Sequence, residues 1–191
     1  MSEQARPEDW RLFIAHPLPD DVRQQLAAQL APYRAHLGEA RWTHPRSWHL
    51  TLLFLGQVRS ERVLEVQALV DEMAAAVTPY RVRADEGDGR LYRGEGVGWL
   101  ELSQGAGALI ELAVALAERC PPGVTAGAPP RRTPSAHLTL ARKAGRATID
   151  ALRSQAYGPL EVAWRVDRIR LLRSHLDATG ARYETLHEAT M

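Results

Sequence analysis

Hydrophobic positions along this 191-residue chain switch repeatedly between a period of two and a period near 3.6, the signature of mixed strands and helices. Residues 11–16 (Arg-Leu-Phe-Ile-Ala-His) read as a strand that Pro17 and Pro19 end. Asp20 is placed to cap a helix with Val22, Leu26 and Leu30 on one face, followed by a loop from Pro32. Residues 48–55 (Trp-His-Leu-Thr-Leu-Leu-Phe-Leu) read as a second strand, closed by Gly56. Ser60 is placed to cap a helix in which Val63, Val66, Val70, Met73 and Val77 share a face. Thr78-Pro79 stops it, and residues 80–84 alternate as a half-buried strand.

The order then partly repeats. Residues 97–102 read as a strand, and Leu109, Leu112, Ala113 and Leu116 mark a helix. Pro121, Pro122, Pro129 and Pro130 bracket a loop before a strand at 136–141. Thr148 is placed to cap a short helix that reaches Tyr157. Leu160, Val162, Trp164 and Val166 then alternate on one face, and Ile169–Leu172 and Tyr183–His187 read as closing strands. Trp10 stands 39 residues before His49, and Trp99 stands 38 before His137. This spacing predicts an internal duplication, with repeats at about 10–86 and 97–166, inside one bilobal domain spanning 10–191 after a tail of residues 1–9. The expected fold class is α+β: two lobes of mainly antiparallel strands, outer helices and a central cleft.

Composition narrows the function. With 24 Lys and Arg against 23 Asp and Glu, the formal net charge is +1, which argues against a protein that coats nucleic acid through phosphate neutralisation. No apolar run approaches the roughly 20 residues of a membrane helix, and the polar start, Met1 to Asp9, does not read as a signal peptide. One cysteine, Cys120, excludes an internal disulfide and a multi-cysteine metal site. A cytoplasmic, monomeric enzyme or binding protein without a membrane partner is the expectation.

The chemistry lies in His-Leu-Thr-Leu, present at His49–Leu52 and again at His137–Leu140. On a strand, residues i and i+2 share a face. The leucines of each copy therefore enter the core, and His49 with Thr51, and His137 with Thr139, stand on the other face. Two such strands paired across a pseudo-twofold axis bring two imidazoles and two hydroxyls to one cleft. Imidazoles titrate near neutrality and can serve as base and acid on opposite sides of a reacting atom. Hydroxyls can donate to non-bridging phosphate oxygens. The neighbourhoods are basic: 131–146 holds Arg131, Arg132, Arg142, Lys143 and Arg146 with no acid, and 41–59 holds Arg41, Arg46 and Arg59 with no acid. The rest of the chain carries 16 cations against all 23 acids, so a phosphate-bearing ligand belongs at the motifs.

The paired motifs resemble the mark of the 2H phosphoesterase superfamily. Arg11-Leu-Phe-Ile-Ala-His-Pro-Leu-Pro, Trp48-His-Leu-Thr-Leu-Leu-Phe-Leu-Gly56 and His137-Leu-Thr-Leu-Ala-Arg142 are similar, more closely, to bacterial and archaeal RNA 2′,3′-cyclic phosphodiesterases, once called 2′-5′ RNA ligases. Leu171-Leu-Arg-Ser174 and Gly180-Ala-Arg-Tyr183 resemble the closing segment of that family. Two positions depart from it: Ala136 stands where proline is usual, and His16 where an apolar residue is. The resemblance implies a duplicated, LigT-like fold and cofactor-free, metal-independent hydrolysis of RNA 2′,3′-cyclic phosphate ends to 2′-phosphates. His49 would protonate the departing 3′ oxygen, His137 would activate water, and Thr51 and Thr139 would hold phosphate oxygens. The same site in reverse would form a 2′-5′ linkage without ATP. Its partners would be RNA 3′ ends or small nucleotides bearing a cyclic phosphate.

Arg142 follows His137 by five residues, so a regular strand points it to the opposite face; it serves as a phosphate ligand only if the strand bends. Arg131 and Arg132 are placed in the preceding loop to sweep over the cleft. Trp42 and Trp48 favour packing over base stacking, His16, His44, His175 and His187 favour structural or exposed positions, and Cys120 favours burial. Competing functions are a nucleotide-binding module without turnover, a 2H enzyme for 2′-5′ oligonucleotides or another cyclic phosphate, and a two-histidine metal site, which lacks a neighbouring carboxylate or cysteine in sequence.

Overall fold

The computed structural model describes residues 8–124, 136–177 and 180–191. The chain order is β1 (Asp9–Pro17), α1 (Asp20–His36), β2 (Arg41–Trp42), β3 (His49–Arg59), α2 (Val63–Ala76), β4 (Tyr80–Tyr92), β5 (Glu95–Gln104), α3 (Ala106–Arg119), β6 (His137–Ala144), α4 (Arg146–Ser154), β7 (Val162–Val166), β8 (Arg168–Asp177) and β9 (Gly180–Thr190). Every strand and helix expected from the patterning forms.

Element ends differ from the expectation. Helix α1 runs through Pro32 to His36. Leu30 and Tyr33, on either side of the proline, are fully buried, and the Tyr33 hydroxyl donates to the Gly158 carbonyl at 2.7 Å. This packing outweighs the hydrogen bond that proline removes. None of the three expected caps forms. Asp20 is the first residue of α1 and not its cap. Ser60 opens a 3₁₀ turn, Ser60–Arg62, ahead of α2. Thr148 is buried inside α4, which follows Gly145. Cys120 is half-buried and not in the core.

Among the described residues all strand pairings are antiparallel. They form one nine-stranded sheet in the order β7-β4-β5-β6-β3-β1-β8-β9, with β2 on β6. The two expected sheets are halves of this array. They meet between β3 and β6 through a single bridging pair, Leu50 with Leu138.

Helices cover the apolar face: α1 packs on β7, α2 on β8 and β9, α3 on β3, and α4 on β4 and β5. The main core lies between helices and sheet, and includes the four motif leucines, each at most 3 % exposed. Helix α4 lies unusually close to the sheet. A Cβ on Gly87 would sit 2.0 Å from the Leu152 carbonyl oxygen, and one on Gly98 2.5 Å from a Leu152 methyl. Only glycine admits that approach. Among the described residues no helix is long and apolar enough to cross a membrane.

Candidate active site

Each motif opens a central strand, β3 or β6, and the Leu50–Leu138 bridge sets their mutual register. In that register His49 lies across from Thr139, and Thr51 across from His137. All four side chains are part-exposed and line one cleft of about 820 Å³. The leucines between them point to the core, as the two-residue period requires.

Strict alternation then fails in both strands at the same place. On β6, Thr139 pairs with Trp99 and Ala141 with Gly98, leaving Leu140 as an extra residue. On β3, Thr51 pairs with Ala15 and Leu53 with Ile14, leaving Leu52 extra. These are β-bulges, which re-aim the residues that follow. Leu140 and Ala141 are both buried, and so are Leu52 and Leu53. The residue five places after each histidine therefore returns to the histidine face. On β6 that residue is Arg142; on β3 it is Phe54, 41 % exposed. Both line the cleft. A second irregularity follows on β6, with Lys143 at φ +50°, and Lys143 also lines the cleft.

The two histidines sit in unlike surroundings. The His49 Nδ1 donates to the Ser47 carbonyl at 2.7 Å, because a carbonyl can only accept; the neutral ring thus presents an unprotonated Nε2. Phe13 lies 4.9 Å from its centroid and Tyr183 5.2 Å. Burial pushes the His49 imidazole down to about 4; the Ser47 bond opposes this, and the charges of Arg142 and His137 add to it. His137 is also lowered, first by burial and then by Arg142, but Glu101 opposes the shift. Glu101 is its cross-strand partner on β5. The Glu101 carboxylate accepts from the Trp99 indole at 3.0 Å, and the indole stacks on His137 at 5.0 Å. An aromatic face and a carboxylate both favour an imidazolium, so His137 is the better proton holder of the two.

Arg142 thus reaches the site despite its odd spacing, and the bulge is the reason. Arg131 and Arg132 fall outside the described residues. Phe54, Trp99, Glu101 and Tyr183 belong to the site or its walls and were not read from the sequence as site residues. The apolar doublets Leu52-Leu53 and Leu140-Ala141 are the signal that could have disclosed the bulges. Trp48 is buried, with its indole donating to Thr43 Oγ1 at 2.7 Å, and the Trp42 indole donates to the Leu37 carbonyl. Both pack away from the cleft. His175 pairs with Glu184 and His187 with Asp71, while His44 accepts from the Arg46 N–H. His16 is fully buried, its Nδ1 donating to the Arg168 carbonyl and its Nε2 accepting from Tyr80. Among the described residues no three His, Cys, Asp or Glu side chains gather as a metal site.

A family model described as the 2′-5′ RNA ligase superfamily matches residues 18–178. The chain belongs to this superfamily. Within the 2′-5′ RNA ligase superfamily it is 30 % identical to an RNA 2′,3′-cyclic phosphodiesterase of Thermus thermophilus, over 95 % of this chain and 90 % of that protein. Crystal structures of E. coli LigT in apo form and complexed with 3′-AMP are similar to it, each with a TM-score of 0.71. The first is 26 % identical and the second 25 %, and each alignment covers 96 % of this chain and 98 % of the other. The superfamily fold, α+β with an antiparallel sheet and outer helices, is therefore the fold of this protein.

Proposed function

We propose that this protein hydrolyses RNA 2′,3′-cyclic phosphate ends by acid–base catalysis between His49 and His137. The supporting observation is the single cleft that holds both histidines, both threonines and Arg142. The relatives named as RNA 2′,3′-cyclic phosphodiesterases supply the substrate class. Water attacks phosphorus as one imidazole takes its proton. The strained P–O3′ bond breaks as the other imidazole protonates the departing oxygen. A 2′-phosphate and a 3′-hydroxyl result. Thr51 and Thr139 donate to the non-bridging oxygens, and the Arg142 guanidinium stabilises the charge that builds there. No covalent intermediate is needed, because ring strain already activates the ester.

By family analogy His49 is the acid and His137 the base. A bound phosphate anion would raise the pKa of His49, which then takes its proton from solvent. A second reading has its own observation: Glu101 beside His137 favours the opposite assignment. Digestion of a 2′,3′-cyclic nucleotide and chromatography of the product tests both. A 2′-phosphate supports the first assignment, a 3′-phosphate the second, and inertness overturns the function. His49→Ala and His137→Ala should each lower kcat by at least about 10²-fold with the folding transition intact. EDTA should leave the rate unchanged; loss of activity on chelation overturns the metal-independent mechanism. The same groups run backwards would join a cyclic phosphate to a 5′-hydroxyl, read as 2′-5′-linked product from two RNA fragments without ATP.

A further inference from the structure

The cleft continues well past the catalytic groups. On β5, Glu101, Trp99, Val97 and Glu95 share one face, and the last three line the cleft from the histidines to the hairpin tip. Trp99 and Glu95 are four residues apart, about 13 Å along an extended strand. The flanking strands supply cations. Val97 pairs with Arg142 on β6 and with Arg90 on β4. Arg142 and Arg90 therefore stand on either side of one residue, their Cα atoms about 10 Å apart across two strand spacings. Tyr92 ends the track. Tyr92 is 72 % exposed, one of five large apolar residues left open among the described residues, and the Arg93 guanidinium lies 5.4 Å from its ring centroid.

This end of the cleft is a built surface. The β4–β5 turn has positive φ at both central residues, Arg93 at +51° and Gly94 at +88°, the tight two-residue turn that matches strand twist. The back of the hairpin is clamped by α4 through the close contacts at Gly87 and Gly98. Tyr92 and Arg90 are thus presented by a braced ribbon. The catalytic mechanism uses neither.

A single-stranded nucleic acid is held by cations along its backbone and by aromatic rings under its bases. We propose that the β4–β5 hairpin is the subsite for the nucleotide immediately 5′ of the cyclic-phosphate end. Arg90 takes the phosphodiester that joins the two nucleotides, and Tyr92 stacks the upstream base. Glu95, the cross-strand partner of Tyr92, is the one carboxylate lining the cleft among the described residues. It suits the N–H edge of a base and repels phosphate, which assigns the phosphate to the Arg90 flank. The subsite rests on the proposed phosphodiesterase reading and makes an RNA terminus, rather than a free cyclic mononucleotide, the preferred substrate.

The test compares kcat/KM for a 2′,3′-cyclic mononucleotide with that for a dinucleotide ending in the same group. The wild-type protein should favour the dinucleotide by at least about tenfold. Tyr92→Ala and Arg90→Ala should each remove most of that preference and leave mononucleotide turnover within about twofold, while Tyr92→Phe keeps it. No wild-type preference, or equal losses on both substrates, overturns the subsite. Equilibrium binding of a fluorescent dinucleotide 3′-phosphate gives a reading independent of turnover: about tenfold weaker binding by Tyr92→Ala supports the subsite, and unchanged binding overturns it. If the wild-type protein turns over neither substrate, the hydrolytic function falls and the binding result still decides the subsite.

Discussion

His16 and His49 each hold a neutral imidazole where water is scarce. Burial is the main cause of both shifts, to about 4 in each case. In the unfolded chain they titrate near 6.5, so between these values the unfolded state binds more protons. Stability is therefore fully present above about pH 6.5 and declines as pH falls towards 4. Urea midpoints measured across that range should fall steadily, and His16→Phe should flatten part of the slope. A profile that is level between pH 6.5 and 4 contradicts the lowered pKa of both rings. Arg142 differs in that, on the proposed mechanism, its charge is wanted in the transition state. Arg142→Ala should cost about 10²- to 10³-fold in kcat, the scale of removing one preorganised oxyanion donor. The four motif residues were legible in the sequence because i and i+2 on a strand have no other choice of face. Glu101 and Trp99 were not, because their role arises from pairing with β6 some 38 residues away, as Trp99 stands to His137.

Among the elements, the two bulges and the β4–β5 ribbon shape the site. The patterning disclosed every helix and every strand but one, since a period of two or 3.6 survives in each; the two-residue β2 is too short to carry a period and fell in what was read as a loop. The ends were less legible. Pro32 stays helical because Leu30 and Tyr33 are buried on either side of it, a tertiary effect that no local propensity contains. Ser60 and Thr148 were read as caps from residue type, yet each is used elsewhere in the first turn. The ribbon depends on α4 lying against bare backbone. Gly87→Ala puts a methyl into the Leu152 peptide and should cost about 1–3 kcal/mol, read as a lower denaturant midpoint. Activity on a cyclic mononucleotide should survive near neutral pH wherever the variant remains folded.

Over the whole molecule, charge is distributed by place and not by total. The cleft shows three cations, Arg90, Arg142 and Lys143, against one carboxylate, on a chain whose formal net charge is +1. Such a surface neutralises one or two phosphates. For single strands each costs a slope of about −0.7 in log affinity against log salt. Dinucleotide binding should thus show a slope between about −0.7 and −1.4, and a slope steeper than about −3 would reveal a longer track than the cleft provides.

The halves of the sheet share one backbone bridge, Leu50 to Leu138, and the motif histidines and threonines flank it. In mechanical terms that bridge is a keystone, backed by one core that runs under both halves. Amide hydrogen exchange should accordingly be slow at Leu50 and Leu138, and exchange there as fast as at an exposed strand end contradicts that role. On the proposed mechanism, the spacing of the two imidazoles about the phosphorus then depends on this one register.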